Sequence, residues 1–151
     1  MPGDWASPYS DDATIEDDDV LYRRIKLPDW VRSNELGSGG RPQIRSIAFQ
    51  DFTDAMASKW GLPAPAMSVG LGSVITANGR DASVMIEHHE GYGVASLRAR
   101  DVRQFDQGIQ RYPTDSEPWH AIVFCLNRKS KNDPMKDRLA ERAVWVIPPP
   151  Q

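Results

Sequence analysis

The stretch "WHAIVFCL", residues 119–126, limits the fold more than any other part of the chain. It is apolar at consecutive positions, so as a strand it presents apolar side chains to both sides and must be covered on both. The surrounding sequence cannot supply long helices for that purpose. Twelve prolines and eleven glycines in 151 residues cut the chain into short segments, and its apolar runs are five or six residues long. Such runs are too short to span a bilayer as helices. The expected object is a loop-rich α+β domain with a small mixed sheet of about five strands and three or four short helices.

Further elements follow from local pattern. "DVLYRRIKL" reads as a strand ended by Pro28, and residues 35–42, "ELGSGGRP", as a loop. Phe52, Ala55, Met56 and Trp60 recur at helical spacing, which predicts a helix over 51–60. "MSVGLGSVI" reads as a strand that turns into a glycine-tolerant segment, ahead of the turn "ANGR". Asp81 is placed to cap a helix over about 82–90, with Gly91 just beyond its end. "GVASLRA" and "IQRY" read as strands flanking a helical turn in "RDVRQFDQG". Asp133-Pro134 starts a C-terminal helix expected to pack on the sheet, with Met135, Leu139, Arg142/Ala143 and Val146 on one face. The last residues, 148–151, form a proline-rich extended end.

Charge divides the chain at residue 19. Seven of the 21 acids fall in residues 1–19, which hold none of the 18 lysines and arginines. The remainder carries 14 acids against those 18 bases, a net of +4. Residues 1–19 therefore read as an acidic, disordered and solvating tail ahead of a single domain over 20–147. The alternative is that the tail covers a basic surface, its own or a partner's. With neither a basic start nor an apolar core, the N-terminus is not a secretory signal, and the expected location is cytoplasmic. The single cysteine, Cys125, lies in an apolar run and reads as a buried thiol.

The stretch "EHHE", residues 87–90, draws attention as chemistry. On a helix, His88 and His89 point about 100° apart and cannot turn onto one ion. They read as a polar helix end, and no metal site is expected. His120, at the entrance of the apolar strand, is either a general acid–base group or a half-buried ring with its hydrogen bonds satisfied. Arg23 and Arg24 are consecutive in a strand and so face opposite ways. One of them must point toward the core, where it needs an acid or a bound anion. Arg128, Lys129, Lys131 and Lys136 give the segment 128–142 a local positive charge suited either to phosphate contacts or to a solvated surface. Trp5, among acids in the tail, and Trp119 are candidate contacts for a protein partner. Walker, Rossmann, zinc and serine-elbow signatures are missing, and no cofactor is expected.

In order along the chain, "LYRR", "RPQIRSIAF", "MSVG", "GVAS" and "PTDSEPWHAIV" resemble the pattern of a group of small bacterial proteins. That resemblance spans about residues 18–145 and implies that Arg23, Arg24, Ser68 and His120 occupy patterned positions. Where serines would directly follow "RP" in that pattern, this chain has "QIRS". A weaker similarity is to ADP-ribosyltransferase-like folds, which place an arginine on an early strand and a serine and a glutamate later. It would cast Arg23 or Arg24, Ser68, and Glu87 or Glu90 in those roles.

These observations support three readings. The first is a non-enzymatic binding or regulatory subunit of a bacterial multi-protein system, such as antiviral defence or toxin control. The second is a small enzyme acting on a nucleotide or nucleic-acid phosphate through Arg23 or Arg24 and His120. The third is a nucleic-acid-binding accessory subunit using the basic segment.

Overall fold

The computed structural model describes residues 7–27, 29–36, 42–126 and 133–148. Six strands form one antiparallel sheet: β1 Val20–Lys26, β4 Met67–Leu71, β5 Tyr92–Arg98, β6 Gln107–Arg111, β7 His120–Cys125 and β8 Val144–Ile147. Their spatial order is β6-β7-β4-β1-β5-β8. Two more strands, β2 Val31–Leu36 and β3 Pro42–Ile44, form a separate hairpin. Four helices complete the α+β architecture: α1 Asp54–Lys59, α2 Gly72–Ala77, α3 Ala99–Gln104 and α4 Asp133–Arg142. No helix among the described residues is long and apolar enough to cross a membrane.

Both faces of the sheet are covered, as the apolar strand requires. Leu21, Ile25, Met67, Val69, Leu71, Ala121 and Val123 belong to the main core, which Ala48, Phe49, Val102 and Leu139 close from the helical side. On the opposite face Val94 and Trp119 pack with Ile75, Val84 and Met85, and Ile122 and Phe124 pack with Tyr9. The strand β7 lies second from one edge, while β4 and β1 are the central pair.

The run 67–75 is a strand to Leu71 and then turns into α2, where Gly72 fits against the Val20 carbonyl and a Cβ would stand 3.0 Å from it. Other local expectations differ from the structure. Residues 82–90 do not form an α-helix. Asp81 caps a short 3-10 turn, Ala82–Ile86, through Ser83, and the chain then passes His88 and His89 to Gly91 at φ +79°. The C-terminal helix stops at Arg142, and Val146 lies in β8 rather than on its face. That helix packs against the 3-10 turn Ser46–Phe49 and against α3, sending Leu139 into the core.

The acidic leader is the largest correction. Residues 7–19 are not a free tail: Tyr9 and Ile15 are buried, Ile15 completely. The leader runs along β6, an edge of the sheet, and supplies hydrogen bonds to its open side. Asp12 N donates to Ile109 O at 2.8 Å, and Ile109 N donates to the Asp11 carboxylate at 2.8 Å. Arg103 gathers the leader's oxygens, donating to Asp17 at 2.7 Å, to Ile15 O at 2.8 Å and to Asp12 O at 2.9 Å. Arg111 pairs with Asp12 at 3.2 Å. The carboxylates thus answer the body's own arginines and seal an edge that would otherwise offer unpaired backbone.

Candidate functional site: an arginine cleft where the central strands part

The two central strands do not stay together. The strand β1 pairs with β5 along all seven residues, but with β4 only through Leu21–Leu71 and Tyr22–Gly70. Beyond that point β4 continues to pair with β7 through Ser68 and Met67, while β1 stays with β5. A cleft of about 380 Å³ opens there, lined by Arg23, Arg24, Trp30, Asp51, Trp60, Ser68, His89 and Tyr92 among others.

Arg23 bridges the parting. It follows Leu21 on the main-core face, where an apolar residue would normally sit. Its Nε donates to Ala48 O at 2.9 Å and its Nη1 to Ser68 O at 3.0 Å, and the guanidinium lies 5.3 Å from the Trp30 ring centroid. Burial pushes its pKa down to about 10, with the neighbouring Arg24 adding to the effect and Asp51 opposing it. The side chain is half-buried and lines the cleft. No carboxylate among the described residues lies within ion-pair distance of Arg23.

Arg24 faces the other way, as strand alternation demands. It donates from Nη1 to Met85 O at 3.2 Å and is 3.9 Å from the Glu117 carboxylate. Beside it His89 stands edge-on to Tyr92, with ring centroids 5.6 Å apart. Desolvation, helped by the Arg24 charge, holds the His89 pKa below its ordinary 6.5. At the mouth Trp60 is 51% exposed and stands edge-on to Phe52, an unusual position for so large an apolar ring.

Asp51 is the carboxylate of the cleft, and it is already engaged. Lys136, 2% exposed, reaches from α4 to donate to Asp51 Oδ1 at 3.2 Å, and the Cys125 thiol lies 3.7 Å from Oδ2. Lys136 is therefore an internal ion-pair partner and not part of a solvent-facing basic patch. Arg128, Lys129 and Lys131, like Trp5, lie outside the described residues.

His120 does not join the arginines in the cleft. Its Nδ1 donates to Tyr112 O at 2.8 Å and its ring meets Tyr112 edge-on, the satisfied alternative of the two weighed for it. Trp119 is buried among Ile75, Val84 and Met85, so it is a core residue and offers no contact surface. Ser68 does line the cleft, but Glu87 is tied to Arg80 and neither Glu87 nor Glu90 reaches the lining. The glutamate role suggested by ADP-ribosyltransferase-like folds is not filled by either. Among the described residues no three His, Cys, Asp or Glu side chains converge to hold a metal.

Sequence reasoning reached Arg23, Arg24 and Ser68. It missed Trp30, Asp51, Trp60, His89 and Tyr92 as members of one site. Their signal was indirect: an inward arginine needs an acid or an anion, and Asp51 sits among aromatic residues in "FQDF". A larger, shallower hollow of about 620 Å³ lies between the leader and α2, but its charged lining is mostly Glu16, Asp18 and Asp19. Comparison of the chain with protein-family models, with curated proteins and with solved structures found no match.

Proposed function

We propose that this protein is a binding domain for an anionic ligand bearing a flat ring, a nucleotide being the type. It would serve as a non-enzymatic binding or regulatory subunit. The observation that carries this reading is the arginine pair of the cleft, with Arg23 half-buried, beyond ion-pair distance of every carboxylate among the described residues, and with aromatic rings in the same lining. A half-buried guanidinium favours an anion because the charge has lost part of its water, which a phosphate or carboxylate replaces. Trp60, largely exposed in the lining, offers a ring on which a base can stack, worth about 1–3 kcal/mol per base. The cleft, at about 380 Å³, falls in the size range of small-molecule sites.

Binding is favoured over catalysis by the state of the acid–base groups. Asp51 is held by Lys136, and His120 is committed to Tyr112 outside the cleft. In the leader, Asp11, Asp12 and Asp17 are already engaged by Arg103 and Arg111. The test is titration of the full chain with AMP, ATP and inorganic pyrophosphate, read by tryptophan fluorescence and by the thermal midpoint. Saturable quenching that weakens with salt and is reduced in Trp60→Ala supports the reading. No shift with any of these probes at millimolar concentration overturns it.

A further inference from the structure

The charged side chains in the cleft lining are Arg23, Arg24 and Asp51. Asp51 takes Lys136 at 3.2 Å, and Arg24 stands 3.9 Å from Glu117, in the segment before β7. Arg23 has no carboxylate within ion-pair distance among the described residues. His89 adds no charge near pH 8, because burial and the Arg24 charge hold its pKa below 6.5. Outside the lining, Lys26 pairs with Asp29 at 3.7 Å, and Lys59, beside Trp60 in sequence, is exposed. Three cations therefore face two carboxylates, and the unanswered charge is that of Arg23. We infer that Arg23 is the seat for a singly charged anion with two oxygens to share that charge, and that Glu117 sets this preference by neutralising Arg24. The inference rests on the cleft's being the ligand site and names the charge of the ligand's head group.

The hydrogen bonds of Arg23 leave it able to bind. A guanidinium has five N–H groups. Arg23 uses one from Nε on Ala48 O at 2.9 Å and one from Nη1 on Ser68 O at 3.0 Å, leaving three for other partners. Those two bonds, with the Trp30 ring centroid 5.3 Å from the guanidinium, hold its plane in place. A guanidinium so held can donate to two oxygens of one anion with little further ordering. A phosphodiester and a carboxylate each present such a pair of oxygens with one charge. A phosphate monoester brings nearly two charges near neutral pH. Its second charge would give up water without meeting an unanswered cation, in a lining that also holds the Asp51 carboxylate.

Glu117 is not in the lining, so it acts on the ligand through Arg24 and not by contact. Its backbone groups bond to Thr114 and His120, which leaves its carboxylate free to serve Arg24. Converting that carboxylate to an amide keeps the backbone turn and removes the counter-charge. Arg24, which also donates from Nη1 to Met85 O, would then be a second unanswered cation in the lining. A doubly charged head group would gain more from this than a singly charged one.

Calorimetric titration of the full chain near pH 8 with cyclic AMP, AMP and adenosine varies the charge on one base. Cyclic AMP should bind more tightly than AMP, and about tenfold more tightly than adenosine, which lacks the charge-assisted hydrogen bond. In Glu117→Gln the affinity for AMP should rise about two- to fivefold relative to that for cyclic AMP, as suits a partly exposed ion pair. Folded Arg23→Gln should bind cyclic AMP no better than adenosine. Indole-3-acetate, a flat ring with a carboxylate, is the second singly charged probe, and whichever of it and cyclic AMP binds more tightly names the anion. AMP bound as tightly as cyclic AMP by wild type, or a ratio of the two unmoved in folded Glu117→Gln, overturns the inference and leaves the cleft as a nucleotide site. Absence of binding by all four compounds overturns the cleft reading as well.

Discussion

Arg23 donates from Nη1 to the carbonyl oxygen of Ser68 at 3.0 Å, across the line where β1 and β4 cease to pair. A sheet parted between its central strands leaves backbone groups without ladder partners, and leaving them so would be costly. The guanidinium satisfies one of these on β4 and one on Ala48, and it keeps its positive charge at the cleft wall. Holding the parting and lining the cleft therefore fall to the same side chain.

Replacing Arg23 by lysine should expose this double role. Lysine keeps the charge but cannot donate in two fixed directions at once. Arg23→Lys is expected to lose about 1–3 kcal/mol of stability from a carbonyl left unpaired. Denaturant unfolding measures that loss, and nucleotide titration of the same variant should show weaker binding. A variant as stable as wild type would show that Arg23 is not holding the parting.

Lys136 and Asp51 form a buried pair, with side chains 3% and 14% exposed. Lys136→Met strands the carboxylate and should cost about 3–5 kcal/mol. The double variant Lys136→Met/Asp51→Asn should recover much of the loss, since an uncharged pair of similar size carries no such penalty. Chemical denaturation of these two variants and of Asp51→Asn alone, against wild type, closes the cycle that gives the coupling.

The leader is part of the folded domain, and its deletion should show this. Ile15→Ala alone removes a fully buried side chain and should destabilise by about 2–5 kcal/mol. Removing residues 1–19 should lower the thermal midpoint further and expose the β6 edge, which light scattering would detect as self-association. An unchanged midpoint after the deletion would return the segment to the status of a free tail.

Acid should weaken specific turns. Hydrogen bonds from Thr14, with Arg111 nearby, lower the Asp12 pKa below its ordinary 3.8, and bonds from Ser83 do the same for Asp81. A lowered folded-state pKa stabilises the fold above the unfolded value, and the contribution is lost as pH falls through the folded one. Asp12→Asn should thus have a lower thermal midpoint than wild type near neutral pH. The gap should close as the pH drops below about 4. A gap that stays constant into acid would mean the carboxylate charge contributes nothing there.

Gly70 lies beneath the second core, where a Cβ would stand 2.6 Å from Met85 Sδ and 3.2 Å from Trp119 Cδ1. Gly70→Ala should cost about 1–3 kcal/mol through overpacking. Because Gly70 is also the last β4 residue paired with β1, the substitution should report on the parting as well, by changing nucleotide affinity.

Much of the element order was legible because short-range rules carry it. Alternation in "LYRRI" places the two arginines on opposite faces, the apolar run makes β7, and Asp81 caps its turn through its own side chain. The sequence alone determined that one arginine would face inward and need an acid or an anion. Only the tertiary structure decided where that arginine would lie and what would surround it. The parting of β1 from β4, the gathering of the leader's carbonyls by Arg103 and the reach of Lys136 to Asp51 join residues 45 to 91 positions apart. Such contacts depend on which strands lie side by side, and no local spacing encodes that. The same holds for His89 and Trp60: each is an ordinary polar or aromatic residue in sequence, and the packing of distant segments makes them two ends of one cleft.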